Sequence, residues 1–439
     1  MPWVRLLILP VILRRNNVRG GLLRLKKHRL SALSLLLVGA LTWLSGCDDT
    51  YSEAIRYTVR TDPLFIKAPG EEQLLPDRPG QLPLYTITDV DDVRNPFHAI
   101  APKLIADGII RDPNKLTKEN REGLDKVLDS LFGTPAKPRV DGVDDATRRT
   151  LMLEEGTLIA GSKLYRLHCL QCHGVTGDGR GPTARWVNPH PRDYRQGLFK
   201  FQSVDQTSSA DRKPRRDDLK RVIQDGVEGT AMPAHNLMPE DDIDKLASYV
   251  IHLSIRGQAE FETLTNAFTE KMEVSPDAEG GPKVYLRSAV ARIAKNWVDS
   301  QTAVIQPAPY PEKYVKGSPE DVKDAMKDSV QRGFKTFMGA AGGGAQASCV
   351  SCHKDLGRES LFRYDAWGTL VRPTNLTAGV YRGGRRPVDL YWRIHSGING
   401  SGMVPFGSSI SGEQIWDVVN FLQALPYPAM RRIYDINIH

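Results

Sequence analysis

The sequence predicts an all-α protein in which two similar helical units follow one another, behind a leader and an irregular, partly helical N-terminal segment. Three observations carry this expectation. The pattern C-x-x-C-H occurs twice, at Cys169-Cys172-His173 and at Cys349-Cys352-His353. The stretch LKRVIQDGVEGTAM at 219–232 aligns without a gap on LYWRIHSGINGSGM at 390–403, each pair 171 residues apart, the mark of an internal duplication. Runs with apolar residues at spacings of three and four flank both copies. A chain of 439 residues also exceeds the size at which one core stops growing, so more than one domain is expected.

The leader comes first. Residues 1–29 hold eight Lys or Arg and no acid, and the apolar run SALSLLLVGALTWLSGC follows at 31–47. A basic segment followed by a short apolar one is how an export signal is built. Leu44-Ser45-Gly46-Cys47 resembles the bacterial lipoprotein cleavage box. We therefore expect 1–46 to be a signal peptide and Cys47 the lipid-bearing first residue of an exported protein, anchored on the periplasmic side of the cytoplasmic membrane. Of 59 basic and 52 acidic residues, eight basic ones precede Cys47. The remainder, 51 against 52, is near neutral, and the basic balance of the whole chain is no argument for nucleic acid.

Residues 47–150 form the N-terminal segment. Its first part, 48–95, is rich in Pro, Asp and Gly and reads as a tether or a wrapping segment. Residues 97–131 read as more helical, with KENREGLDKVLDSLF carrying Leu124, Val127 and Leu131 at spacings of three and four, and FGTPAKPRVDG reads as a stop and linker. The first unit spans 151–256. It opens with a helix, GTLIAGSKLYRLHC, that runs into the first Cys motif. It closes with PEDDIDKLASYVIHLS at 239–254, a helix with acids in its first turn. Residues 257–317 read as a linker with one helix, PKVYLRSAVARIAKNWVD, and a Pro-rich stretch, QPAPYPEKY. The second unit spans 318–427. Ser318 is its N-cap with Pro319 at the first helical position, VKDAMKDSVQRGFKTFMG follows, and SGEQIWDVVNFLQAL at 411–425 closes it. Residues 428–439 are a C-terminal tail.

Two thiols separated by two residues suit zinc, a redox disulfide, or addition across the vinyl groups of a haem whose iron the next imidazole binds. A zinc ribbon needs a second Cys pair ~15–20 residues on, and a thioredoxin-like site needs a βαβ setting. Neither is present in the sequence, whereas the adjoining His is what the haem reading requires. A second repeated block supports it: PRDYRQGLFK at 191–200 matches PTNLTAGVYR at 373–382 with offset 182. The change of offset puts an extra stretch, about FQSVDQTSSADRK, in the first unit. Each half thus offers two thiols, an imidazole, a Gly-marked loop and a Met, in that order. Met232 and Met403 lie 59 and 50 residues beyond their histidines, with Pro233 and Pro405 nearby to stiffen the loop. A thioether opposite an imidazole favours reduced iron.

On these residues the sequence resembles class I cytochromes c, twice over, across about 152–256 and 318–427. The resemblance implies two covalently bound haem c groups, one on Cys169 and Cys172 and one on Cys349 and Cys352. Their irons would be ligated by His173 with Met232 and by His353 with Met403. It also implies that terminal helices cross in each unit, near Gly161 with Tyr165 against Tyr249 and Leu253, and near Gly333 with Phe337 against Trp416 and Phe421. In GDGRGP after the first motif, the Pro182 carbonyl would receive the Nδ1–H of His173. The second unit departs from the pattern: it has no such Gly-Pro turn after His353 and carries an insertion, GAAGGGAQA, before Cys349. Arg192, Tyr194, Lys200, Arg372 and Arg382 contact haem propionates or are solvated, and Trp186 and Trp367 pack on haem edges or in the core.

The function expected first is a dihaem electron carrier in a membrane-associated respiratory chain. Its partners would be redox proteins, with no small-molecule substrate. A dihaem peroxidase-like enzyme, with His190, His235 or His395 on a vacant side of one iron, is the second reading. A haem-bearing subunit of a larger oxidoreductase or terminal oxidase is the third. A structural lipoprotein with two zinc sites leaves both adjoining histidines and both Met loops unexplained.

Overall fold

A computed structural model of the chain describes residues 51–62, 64–65, 110–207, 212–270, 282–339, 349–367 and 369–438. The predicted signal, Cys47 and nearly all of the insertion before Cys349 lie outside them. The described residues are helical apart from two pairs of two-residue strands, Leu64–Phe65 with Ile110–Arg111 and Arg363–Tyr364 with Leu370–Val371. None of their helices is long and apolar enough to cross a membrane.

In chain order the helices are α1 (Lys118–Phe132), α2 (Asp145–Leu151), α3 (Glu155–His168), α4 (Leu170–His173), α5 (Arg216–Asp225), α6 (Glu240–Glu270), α7 (Pro282–Ser300), α8 (Pro319–Phe337), α9 (Pro387–Ser396), α10 (Gly412–Ala424) and α11 (Pro428–Ile433). Their starts follow capping chemistry. The Thr117 hydroxyl accepts from Asn120 N at α1, and Ser318 accepts from Asp321 N at α8. At α10, Ser411 and Gln414 cap each other's backbone. α1 stops at Gly133, whose φ of 68° is a conformation that costs glycine little.

Each unit is built on the expected crossing of its first and last helices. A Cβ on Gly161 of α3 would sit 2.3 Å from the Lys245 carbonyl oxygen of α6, and one on Gly333 of α8 would sit 2.0 Å from the Asp417 oxygen of α10. Only glycine lets the backbones approach so closely. One turn on, Tyr165 meets Tyr249 edge to face at 5.2 Å, and Phe337 meets Phe421 at 5.6 Å. Trp416 differs from its expected place. It packs on Tyr391 at 4.7 Å and Tyr310 at 5.1 Å, and its indole N–H donates to the Ala308 carbonyl.

The last helix of the first unit does not end near 254. α6 continues to Glu270, and residues 246–260 are buried on every side. The reason is what surrounds it. Tyr57, Val59 and Leu64 from the N-terminal segment, Leu124, Val127, Leu128, Leu131 and Phe132 from α1, and Leu286, Val290, Ile293 and Trp297 from α7 share one core with it. The described part of the N-terminal segment therefore wraps, and the linker helix is a core element rather than a spacer. Two buried polar pairs anchor α6: Arg256 with Glu260 at 3.0 Å, and Tyr249 with Tyr57 through their hydroxyls at 2.8 Å. Ile305, α8 to α10 and Ile436 of the tail make the second core.

The two units meet through counterpart positions of the duplication. The Arg221 guanidinium lies 5.1 Å from the ring centre of Trp392, its aligned partner 171 residues on. A contact between a residue and its own counterpart is what a twofold relation produces. Phe201, the first residue of the extra stretch, packs on Gly383, where a Cβ would stand 2.3 Å from its ring. The extra stretch of the first unit fills the seam: Ser203 O accepts from Ile305 N at 2.8 Å, and Val204 O from the Ser396 hydroxyl at 2.9 Å.

Candidate functional site

In the first unit α3 breaks at Cys169 and resumes as α4, so Cys169, Cys172 and His173 share one helical turn. His173 N donates to Cys169 O at 2.9 Å. Both cysteines are free and partly exposed. The His173 ring is buried and stacks on Tyr194 at 4.8 Å, which in turn stacks on Phe199 at 5.9 Å. Its Nδ1 lies 3.0 Å from the Arg192 carbonyl oxygen. A carbonyl only accepts, so Nδ1 carries the proton and Nε2 the lone pair, the tautomer an iron ligand needs. Burial pushes the His173 pKa down to about 4 and keeps the ring neutral.

This corrects the role expected of Pro182. Pro182 is exposed, and its neighbour Gly181 closes on α4 by donating N–H to Cys172 O at 3.0 Å. The carbonyl facing the imidazole comes from ten residues further along, because Tyr194 N bonds Gly177 O at 2.8 Å and pins the 191–194 loop beneath the ring.

The second unit repeats the arrangement with different means. His353 Nδ1 faces the Thr374 carbonyl oxygen at 3.4 Å, and Thr374 is the counterpart of Arg192 at offset 182. The missing Gly-Pro turn is replaced by Asp355 and Leu356 at φ of 47° and 57°, left-handed values unusual for such residues. Burial of Leu356 holds them, and Gly357 follows so close that a Cβ there would lie 2.0 Å from Thr374 O. The sequence carried this signal in the paired blocks at 191–200 and 373–382, which mark the two carbonyl loops as equivalent.

The Met loops superpose bond for bond. Val227 N donates to Met232 O at 3.2 Å, as Ile398 N does to Met403 O at 3.0 Å. The Thr230 hydroxyl bonds Val227 O at 2.7 Å, and the Ser401 hydroxyl Ile398 O at 2.8 Å. His235 N and Phe406 N, which are counterparts, each close the loop onto the preceding helix at 3.1 Å. Gly226 and Gly397 permit this, since a Cβ on either would strike the Met232 or Met403 carbonyl at 2.7 or 2.4 Å. Both methionines are half-buried, whereas Met338 is 41% exposed at the end of α8.

The cationic residues divide. Tyr194 is a stacking partner of His173. Arg192 lies over the ring of Trp367 at 3.5 Å, and Lys200 pairs with the fully buried Asp365 at 3.0 Å. Burial, followed by Arg192, pushes Lys200 down to about 8. Arg382, the counterpart of Lys200, is lowered by burial and by Arg372 beside it, and among the described residues no carboxylate pairs with either. Of the tryptophans, Trp186 is 74% exposed, while Trp367 is buried between the units.

A covalently held haem fits these residues. Burial raises Cys169 to about 12 and Cys349 to about 11, so each of these sulfurs stands in apolar surroundings that suit a neutral thioether. Among the described residues no three His, Cys, Asp or Glu side chains gather as a metal cage. Of the other candidate histidines, His235 lies beside His168 at 5.9 Å, His395 on α9 is stacked on Tyr391 at 6.2 Å, and His190 lines a narrow crevice with Arg60, Asp62 and Arg180.

The family model described as cytochrome c oxidase, cbb3-type, subunit III matches residues 156–250 and 343–422, about two fifths of the chain. Both segments contain a C-x-x-C-H motif and the Met loop that follows it. The two matched segments are thus similar to c-type cytochrome domains, a class that binds haem c covalently. Among solved structures it is similar to a chain of the reducing HAO-like protein complex of Kuenenia stuttgartiensis, at 21% identity over 61% of this chain and 96% of that one, with a TM-score of 0.39. No curated protein matches.

Proposed function

We propose that the protein is a dihaem c-type cytochrome that carries single electrons in a membrane-associated respiratory chain, each iron ligated by His and Met. The observation that carries this reading is the bond-for-bond repetition of the Met232 and Met403 loops. A single methionine in a loop is more often packing, but the same register and glycines twice over, each after a C-x-x-C-H motif, point to a shared task. Cys169 with Cys172 and Cys349 with Cys352 would hold the two haems, and His173, Met232, His353 and Met403 would be the axial ligands. Bound there, haem supplies reversible one-electron chemistry at iron. The chain's own groups bind and orient it: the Arg192 and Thr374 carbonyls keep each imidazole in one tautomer, and Arg372 and Arg382 offer charge to propionates. With His and Met both bound to an iron, no open site for a small substrate would remain, which favours a carrier over a peroxidase.

Cys47 would carry lipid and hold the protein on the periplasmic side of the membrane, where its partners would be other redox proteins. The likeness to subunit III of cbb3-type cytochrome c oxidase also supports a haem-bearing subunit of a terminal oxidase complex as a second reading. Haem that stays attached through denaturation, at two per chain, with low-spin His–Met signatures in both ferric centres, is the expected result. One haem per chain, or a high-spin centre that reacts with peroxide, would overturn the carrier reading. Lipid labelling should be lost in Cys47→Ser, and labelling that persists would remove the anchor.

A further inference from the structure

The residues Asp365, Ala366, Trp367 and Thr369, between the paired strands Arg363–Tyr364 and Leu370–Val371, belong to the second unit but are built into the first. Asp365 organises them: its Oδ1 accepts from Trp367 N at 3.1 Å and Thr369 N at 2.9 Å, and its Oδ2 takes Lys200 Nζ of the first unit at 3.0 Å. Trp367 then reaches in two directions. Its Nε1–H donates to Asp193 O at 2.9 Å, one residue beyond the carbonyl that holds His173, and the guanidinium of Arg192 covers its ring at 3.5 Å. The far edge of the indole lies on Gly400, where a Cβ would be 2.5 Å from Cη2, and Ala366 N donates to Gly400 O at 2.8 Å. Gly400 is three residues before Met403 in the same loop.

We propose that Trp367 is a positioning residue shared by the two haem centres: it ties the loop that orients His173 to the loop that presents Met403, so that one side chain sets the surroundings of both irons. This rests on the reading of His173 and Met403 as ligands. The opposite pair of loops is joined more weakly. Gly229, the counterpart of Gly400, meets only Val380 Cγ1, 2.6 Å from where a Cβ would stand. An apolar contact fixes neither a carbonyl nor a ring orientation, whereas the indole N–H, the cation over its face and the Asp365–Lys200 pair each define direction.

Trp367→Phe keeps an apolar ring and deletes the donor. In the full two-haem protein we expect this variant to keep its haem content and to shift both midpoint potentials in one redox titration. The His173 ring proton and Met403 methyl resonances should move together in the NMR spectrum. Asp365→Asn, which keeps an acceptor for the two backbone N–H groups while weakening the Lys200 pair, should shift the same two potentials by less. A shift at one haem only or at neither, or haem lost from one unit alone, overturns the proposal. Met403→Ala separates this from the ligation reading: if it moves no potential, Met403 is not a ligand, whatever Trp367 does.

Discussion

His173 Nδ1 stands 3.0 Å from the carbonyl oxygen of Arg192, nineteen residues further along the chain. The same relationship recurs between His353 and Thr374 across twenty-one residues, at 3.4 Å. Two duplicated loops thus hold two imidazoles in one tautomer. The longer contact is in the unit whose turn is built from left-handed Asp355 and Leu356.

Pro182→Ala should leave the potential and spectrum of the first haem unchanged, because the proline carbonyl does not face the imidazole. Tyr194→Ala, which strips the ring stacked on His173, should change both. A redox titration of the two variants side by side checks this, and an effect of Pro182→Ala equal to that of Tyr194→Ala would contradict the geometry.

Met232→Ala and Met403→Ala should each lower one potential and leave the other in place. Losing a thioether removes the ligand that favours ferrous iron, and axial ligation spans roughly 0.8 V in haem proteins. A drop on the order of 0.1 V or more is expected at the affected haem. Unchanged titrations would exclude both as ligands.

Gly333→Ala should destabilise the second unit. The new methyl group would meet the Asp417 carbonyl carbon at 2.5 Å and its oxygen at 2.0 Å, so α8 and α10 must separate. Overpacking of this kind costs about 1–3 kcal/mol, more than the ~0.5–1 kcal/mol that alanine contributes over glycine within a helix. Denaturant unfolding should show a lower midpoint with an unchanged slope.

His252 links stability to pH. It is fully buried on α6, with Nε2 3.1 Å from the Phe132 carbonyl oxygen, and burial lowers its pKa from 6.5 to about 4. The folded protein keeps the ring neutral while the unfolded chain protonates near 6.5. The contribution is therefore complete above pH 6.5 and is lost as pH falls towards about 4. His252→Gln should flatten the decline in unfolding midpoint across that window, and an identical decline in the variant would refute the assignment.

Helix positions were largely legible because their signals are local. Ser318 with Pro319 marks the start of α8, and PKVYLRSAVARIAKNWVD falls on α7 almost residue for residue, whereas the stretch read as helical from 97 becomes a helix only at Lys118, after a two-residue strand at Ile110–Arg111 and a single turn at Pro113–Lys115. The length of α6 was not legible. Beyond Leu253 it carries Ser254, Arg256, Gln258 and Glu260, which read as solvent-facing until Tyr57, α1 and α7 close around them and pair their charges. Periodicity reports which face is apolar, and it fails where polar groups are buried with partners that are distant in sequence.

The sequence by itself determined which candidate groups recur and in what order, since C-x-x-C-H, the duplicated loops and their spacing are covalent facts of order along the chain. Only the tertiary structure decided which carbonyl each histidine faces and where Trp367 lies. A backbone carbonyl has no side chain to betray it in a sequence, and Trp367 acquires its partners from Asp193, Arg192 and Gly400, which only the packing of one unit on the other brings together.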